Sequence, residues 1–372
     1  MSASAPIYLD YNAGAPMKPG VRAAIVEALA LTGNPSSVHR FGREARRCVE
    51  DARERVAALA GARAADVIFT AGGTEANNLA LSGSGRMRLL VSAIDHDSIL
   101  AAAPGAEILP VRPDGRLDLD ALRAVLAGDS RPALLSVQLA NNETGVIQPV
   151  AEAAMLARAG GALVHCDAVQ AAGKIPVAMG LLGVDYLSLS AHKLGGPPGV
   201  GALLAAPGAP LAPAIRGGGQ ERRRRGGTEN LPGIVGFGTA AELAAADLAD
   251  QPRLARLRDR LEAAVAAAAP EAPVHGRDAP RLANTSCVGM PGVRSDLQVM
   301  GFDLAGIAVS AGAACSSGKI AESHVLRAMG VDPAAAACAI RVSLGWATEE
   351  AHVERFAEVW RDLYRRARSH AA

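Results

Sequence analysis

At 372 residues, half of them hydrophobic, the chain has the length of two domains at roughly 150 residues each and the apolar material for a large core. Lys plus Arg (38) and Asp plus Glu (37) leave a net charge of +1, which excludes whole-chain disorder and a polyanion-binding tail as the main business of the protein. Two Trp, four Tyr and five Phe are too few for a stacking platform for single-stranded nucleic acid.

The N-terminus carries no basic stretch followed by an apolar run, and no apolar run reaches about 18 residues, so a cytoplasmic protein without a membrane span is expected. From about residue 20 to 205, short apolar runs alternate with amphipathic ones. Helices are predicted over 21–31, 42–60, 75–82, 119–126 and 150–159, and strands over 66–70, 88–92, 107–110, 132–139, 162–166, 186–190 and 201–205. This β-α alternation predicts an α/β fold whose central sheet is mostly parallel, with active residues beyond the carboxyl ends of its strands. The stretch 231–269 is helical in period, interrupted by Pro252, and reads as a spacer. Short strands at 274, 283–288 and 308–310 and a terminal helix over 350–367 follow. The expected division is a large domain over 1–250 and a smaller C-terminal α/β domain over 251–372, with the first 13 or so residues packing on the smaller one.

Six segments could carry chemistry. A hydrophobic strand runs into Ser190, His192 and Lys193, where partial burial would lower the amine's pKa and suit a Schiff base. Another apolar strand ends in Asp167, which can hold a pyridine nitrogen protonated or simply cap a turn. Gly72, Gly73 and Thr74 lie between a strand and a helix, where backbone N–H groups and the Thr74 hydroxyl make an anion site; the plainer alternative is a turn capped by Thr74 and Asn77. Glycines and arginines crowd 215–230, either as a loop whose Thr228 reaches a phosphate across a dimer interface or as solvated arginines. Cys315 sits among small residues, the setting of an accessible nucleophile, whereas Cys48, Cys166, Cys287 and Cys338 read as small buried hydrophobes. His96 follows a strand end, placed to stack on a planar cofactor and shuttle protons. Five widely spaced cysteines without a C-x-x-C pair argue against a disulfide framework or a structural zinc site.

Taken in order, Tyr8-Leu-Asp10, Gly33-Asn-Pro-Ser-Ser-Val-His39, Gly72-Gly-Thr-Glu-Ala-Asn-Asn78, Asn141-Asn-Glu-Thr-Gly145, His165-Cys-Asp-Ala-Val-Gln170, Ser190-Ala-His-Lys193, Gly217-Gly-Gly-Gln-Glu221, Gly227-Thr-Glu-Asn230 and Ala314-Cys-Ser-Ser-Gly318 resemble the NifS/IscS-type cysteine desulfurases of the class V aminotransferase family. The resemblance spans almost the whole chain. It implies a fold-type I, pyridoxal 5′-phosphate-dependent homodimer. By that resemblance Lys193 carries the cofactor as a Schiff base, Asp167 pairs with the pyridine nitrogen, Gln170 contacts the ring hydroxyl and His96 stacks on the ring. Gly73, Thr74, Ser190 and His192 would hold the phosphate, with Thr228 reaching it from the other subunit. Asn142 would lie beside ring and substrate, and Arg341 would grip the substrate carboxylate, a task suited to guanidinium geometry.

The reaction so implied converts L-cysteine to alanine and leaves its sulfur as a persulfide on Cys315, for transfer to an acceptor protein in iron–sulfur cluster assembly or thiolation. Gly14-Ala15, Asp97, Pro198 and Ala313 depart from the usual family pattern, and none removes a catalytic side chain. Selenocysteine lyase or an aminotransferase of the same family acting on another amino acid is the alternative activity. A non-catalytic scaffold has no need of Lys193, Asp167 and His96, and nucleic-acid binding through 222–225 would require steep salt dependence.

Overall fold

Alternation of side chains along each strand puts apolar groups on both faces of the main sheet, so it must be covered twice. The computed structural model describes residues 6–312 and 322–371. After the short β1 (Ile7–Tyr8) come β2 (Val67–Thr70), β3 (Arg88–Ser92), β4 (Glu107–Leu109), β5 (Ala133–Gln138), β6 (Leu163–Asp167), β7 (Tyr186–Ser190) and β8 (Gly201–Ala205). The last seven form one sheet in the order β2-β8-β7-β6-β5-β3-β4. Only β8 runs against its neighbours; the other pairs are parallel. On one face, Leu135, Val137, Ala202 and Leu204 pack in a core with residues of the helices Arg40–Leu59, Val150–Ala159 and Leu231–Asp247. On the other, Leu134, Leu203 and Ala205 pack with Ala76, Leu79 and Ala80 of the helix Gly73–Gly83. The predicted strands of this sheet fall within one or two residues of the observed ones.

The expected spacer is two helices that serve different cores. Leu231–Asp247 sends Ile234, Phe237 and Ala240 into the core of the main sheet. Gln251–Ala268 sends Leu254, Leu257 and Leu261 into a second core. Pro252 does not break a helix; it sits in the first turn of the second one, where a missing N–H goes unnoticed. The second core lies against β9 (Val274–His275), β10 (Thr285–Gly289), β11 (Ile307–Ala308), β12 (Ser310–Ala311) and β13 (Ala339–Ser343). Four of these form an antiparallel sheet in the order β12-β13-β10-β9, while β11 pairs in parallel with β1. Phe302 and Phe356 stack in this core with ring centres 4.7 Å apart, and Leu9 from the N-terminal segment is buried with them. Among the described residues, no helix is long and apolar enough to cross a membrane.

A buried ion pair ties the glycine-arginine loop to the main sheet. Arg53 reaches Glu221 through Nη1 at 2.8 Å and Nη2 at 2.9 Å, and Glu221 also accepts the Phe69 N–H at 2.9 Å. Glu221, Arg222 and Arg223 all hold left-handed backbone angles (φ 43°, 56° and 65°), a conformation that costs non-glycine residues on the order of 1 kcal/mol each and persists only where contacts over-determine it.

Gly201 sets how closely β8 approaches the turn before the helix Gly73–Gly83. A Cβ there would lie 2.6 Å from the Gly72 carbonyl carbon and 2.7 Å from the Leu189 oxygen, both backbone atoms that cannot step aside. Gly201→Ala should therefore destabilise the protein by about 1–3 kcal/mol, read as a lower urea midpoint with unchanged slope. An unchanged midpoint would show that β8 can move away from this turn.

Candidate active site

The carboxyl ends of β2, β3, β5, β6 and β7 open onto one cleft of about 310 Å3. Gly73, Thr74, His96, Asn142, Asp167, Gln170, Ser190, His192, Lys193 and Arg341 all line it. Arg341 arrives from the second sheet, at the centre of β13, so the cleft is closed by groups from both cores. Thr228 does not line it; it lies in a separate depression beside Arg225 and Asn230. Cys315 lies outside the described residues.

Asp167 ends β6 with its carboxylate held at both oxygens. Oδ2 accepts from Asn77 Nδ2 at 2.8 Å, and Oδ1 accepts the Val169 N–H at 2.9 Å. Asp167 thus caps its own turn and faces the cleft. Behind it, burial pushes the Asp95 carboxyl up to about 8, and the nearby Asp167 charge adds to the effect. His165, two residues before Asp167 on β6, lies between the Ser136 and Ser188 hydroxyls at 2.9 Å each. Burial pushes its pKa down to about 4, so it is neutral at physiological pH.

The helix Gly73–Gly83 points its N-terminus at the cleft, with unpaired backbone N–H groups and a positive dipole end. A Cβ on Gly73 would come within 2.9 Å of Val169 and 3.4 Å of Ser190, so glycine keeps this corner open. Ser190 Oγ lies 2.9 Å from His192 Nδ1. Burial, followed by the charge of Lys193, lowers His192 to about 4 and keeps it uncharged. His96 caps the helix Asp97–Leu100, its Nδ1 accepting the Ser98 N–H at 3.1 Å. A ring nitrogen that accepts from an amide bears a lone pair, so the neutral ring carries its proton on Nε2.

Lys193 Nζ donates to the backbone oxygens of Asn12 (2.6 Å) and Ala13 (2.8 Å). Gln170 Nε2 donates to the same Asn12 oxygen at 2.9 Å. Arg341 is 1% exposed and pairs through Nη2 with Asp10 at 2.8 Å, while Nη1 donates to the Asn142 oxygen at 3.1 Å. The arginine run is more than a solvated loop: Arg225 pairs with Glu75 at 2.8 Å, and Glu75 Oε2 accepts the Ala71 N–H at the start of the helix Gly73–Gly83. Cys166 and Cys287 are buried as expected, while Cys48 and Cys338 keep partial exposure.

Sequence reasoning missed Asn12 and Lys174, marked Asp10 only within the Tyr8-Leu-Asp10 motif without a role, and offered Asn77 only as an alternative turn cap. One signal was available for Asn77: it follows Thr74 by three positions, so the two share a helix face. Nothing local marks Asn12 and Lys174.

A model of the class-V aminotransferases matches residues 7–356. The chain belongs to the class-V aminotransferase family. Within it, a cysteine desulfurase of Cereibacter sphaeroides is 46% identical over 95% of this chain and 94% of its own. An IscS-like cysteine desulfurase of Mycobacterium tuberculosis is 41% identical over 97% of each chain. The crystal structure of a NifS-like protein from Rickettsia africae, 34% identical, covers 97% of this chain and 99% of its own with a TM-score of 0.91. The family's α/β fold, with its largely parallel central sheet, is therefore the fold of this chain.

His165 makes stability depend on pH with a definite sign. Its folded pKa of about 4 lies below the ordinary 6.5, so between these values the unfolded chain binds a proton that the folded one does not. The melting temperature should fall as pH drops through this window, and His165→Gln should flatten the fall. A slope that the substitution leaves unchanged would remove His165 as its cause.

Proposed function

We propose that the protein is a pyridoxal 5′-phosphate-dependent cysteine desulfurase that works as a homodimer in the cytoplasm. The observation that carries this is the convergence of a lysine, an anchored aspartate and a buried arginine on one cleft, in a chain whose near full-length relatives are named cysteine desulfurases.

The cleft suits the cofactor. Asn77 Oδ1 and Arg341 Nε are buried with no hydrogen-bond partner among the described residues, and both residues line it. Buried polar atoms are seldom left so unless something else meets them. An acid sits at one side and a helix N-terminus with two hydroxyls at another, which matches a pyridine nitrogen and a phosphate. Bound there, the cofactor supplies an electron sink for charge developing at the substrate's α-carbon.

The chain's own groups do the rest. Asp167, fixed by Asn77, keeps the proton on the ring nitrogen. Gly73, Thr74, Ser190 and the uncharged His192 receive the phosphate, with Thr228 contributed by the second copy. Gln170 hydrogen-bonds the ring hydroxyl, for which its Nε2 exchanges the Asn12 oxygen. Lys193 would hold the cofactor covalently until L-cysteine's amino group takes its place, and its freed amine would then move the α-proton of L-cysteine. Arg341, through its unpartnered Nε, binds the substrate carboxylate with Asn142 beside it. His96 stacks on the ring and, with its proton on Nε2, is set to donate rather than accept there. The Cys315 thiolate attacks the substrate sulfur: an S–S bond forms, the C–S bond breaks, and its electron pair passes to carbon, which is protonated to give alanine. The persulfide left on Cys315 then passes to an acceptor protein serving iron–sulfur cluster assembly or thiolation.

Incubation of the purified protein with pyridoxal phosphate, L-cysteine and a reductant should yield alanine and sulfide in equal amounts. Cys315→Ala should abolish both products and keep the visible absorbance of the cofactor, and Lys193→Ala should lose that absorbance as well. Cofactor absorbance without alanine would reject the desulfurase and leave another amino acid as substrate.

A further inference from the structure

Lys174 has no part in the chemistry above, yet it lies beside Lys193. Its Nζ donates to Asn12 Oδ1 at 2.8 Å and to Gln170 Oε1 at 2.9 Å. Asn12 also accepts Lys193 through its backbone oxygen, so the two amines hang on opposite ends of one residue. Both lysines line a small pocket of about 50 Å3 on the side away from the main cleft, next to Asp250 and the ion pair of Lys18 with Asp247. Lys174 keeps partial exposure there, although protein surrounds its amine.

We propose that Lys174 is a positioning residue for Lys193: it fixes the Gln170 amide with its oxygen turned away from the cleft and its Nε2 toward it, and it sets a second amine against the one that holds the cofactor. The inference rests on the desulfurase reading for the identity of that cofactor. The amide geometry follows from the donor inventory. A primary amine, charged or neutral, has N–H groups for both acceptors, so only the Gln170 oxygen can face it and the NH2 must point away. That leaves a donor where the ring hydroxyl of the cofactor would need one. Without Lys174 the amide loses the donor that fixes its oxygen and keeps only the Asn12 contact of its Nε2.

The second effect is electrostatic. Two amines and a guanidinium share this region, with Asp10 committed to Arg341 and Asp247 to Lys18. Burial, then the charges of Lys193 and Arg341, hold Lys174 well below the ordinary lysine range. Repulsion is mutual, so wherever Lys174 carries its proton the neighbouring Lys193 nitrogen holds its own less tightly. A Gln170 donor at the ring hydroxyl would work in the same direction, because it would draw off negative charge that otherwise favours a protonated Lys193 nitrogen.

The test is a pH titration of the visible absorbance of the bound cofactor. Lys174→Met should move the midpoint upward by roughly one pH unit, and Lys174→Arg, which keeps donors for both acceptors and is charged throughout, should not raise it. If the Met variant does not fold, Lys174→Gln removes the same amine. An unmoved midpoint in a folded variant overturns the proposal. A wild type that shows no cofactor absorbance is a failure of the desulfurase reading instead. In that case, labelling of Lys193 by formaldehyde and cyanoborohydride across pH still decides, since both amines bond to Asn12. The pH of half-labelling should rise in Lys174→Met, and an identical labelling profile rejects the inference.

Discussion

Asn12 is the residue on which this arrangement hangs. Its backbone oxygen accepts from Lys193 and Gln170 of the main sheet. Its side-chain oxygen accepts from Lys174 on one side and from Asn284 on the other. Its side-chain nitrogen donates to the Asn142 oxygen and to Thr285, and its N–H donates to Ser343. Asn284, Thr285 and Ser343 belong to the second sheet and its approach, so one buried amide joins both cores at the floor of the cleft. A buried amide is tolerated only with its polar atoms paired, and here each pairing is also a statement about where a neighbouring segment must lie. The N-terminal segment therefore acts as a strap, with Leu9 in one core and Asn12 at the seam.

Charge follows the same seam. Arg341 and Lys193 line the cleft with Lys174 behind them, and Asp167 lines it too. Burying a guanidinium to 1% exposure costs several kcal/mol unless it is paired, and Asp10 supplies the pairing from the residue next but one to Asn12. The buried His165 and the half-buried His192 near the cleft are both held neutral, which adds no further positive charge there. The side that would receive a carboxylate is thus cationic, and the side that would receive a protonated ring is anionic, before any ligand binds.

Much of the main sheet was legible in the sequence because buried parallel strands are short apolar runs and nothing else in the chain resembles them. Asp167 and Lys193 stand out for the same reason: each ends such a run. β13 was missed because Arg341 at its centre interrupts the apolar pattern, although that residue was marked by its resemblance to a carboxylate-binding arginine. The stretch 231–269 was misjudged because composition cannot show that Phe237 and Leu257 pack in different cores. Asn12 and Lys174 left no local signal, since their bond joins residues 162 positions apart. Asn77, 90 positions from Asp167, matched a helix cap equally well. Polar contacts between distant segments have no sequence period, and those contacts organise this cleft.

The central role of Asn12 is tested most directly by hydrogen exchange, read by mass spectrometry, on Asn12→Ala. Loss of a hub shared by both cores should lower protection together in 168–174, behind the cleft, and in 284–287 of the second sheet, while β3 and β4 at the far edge stay as in the wild type. Protection lost only in the N-terminal segment, with both inner regions unchanged, would show that the two cores hold each other without Asn12.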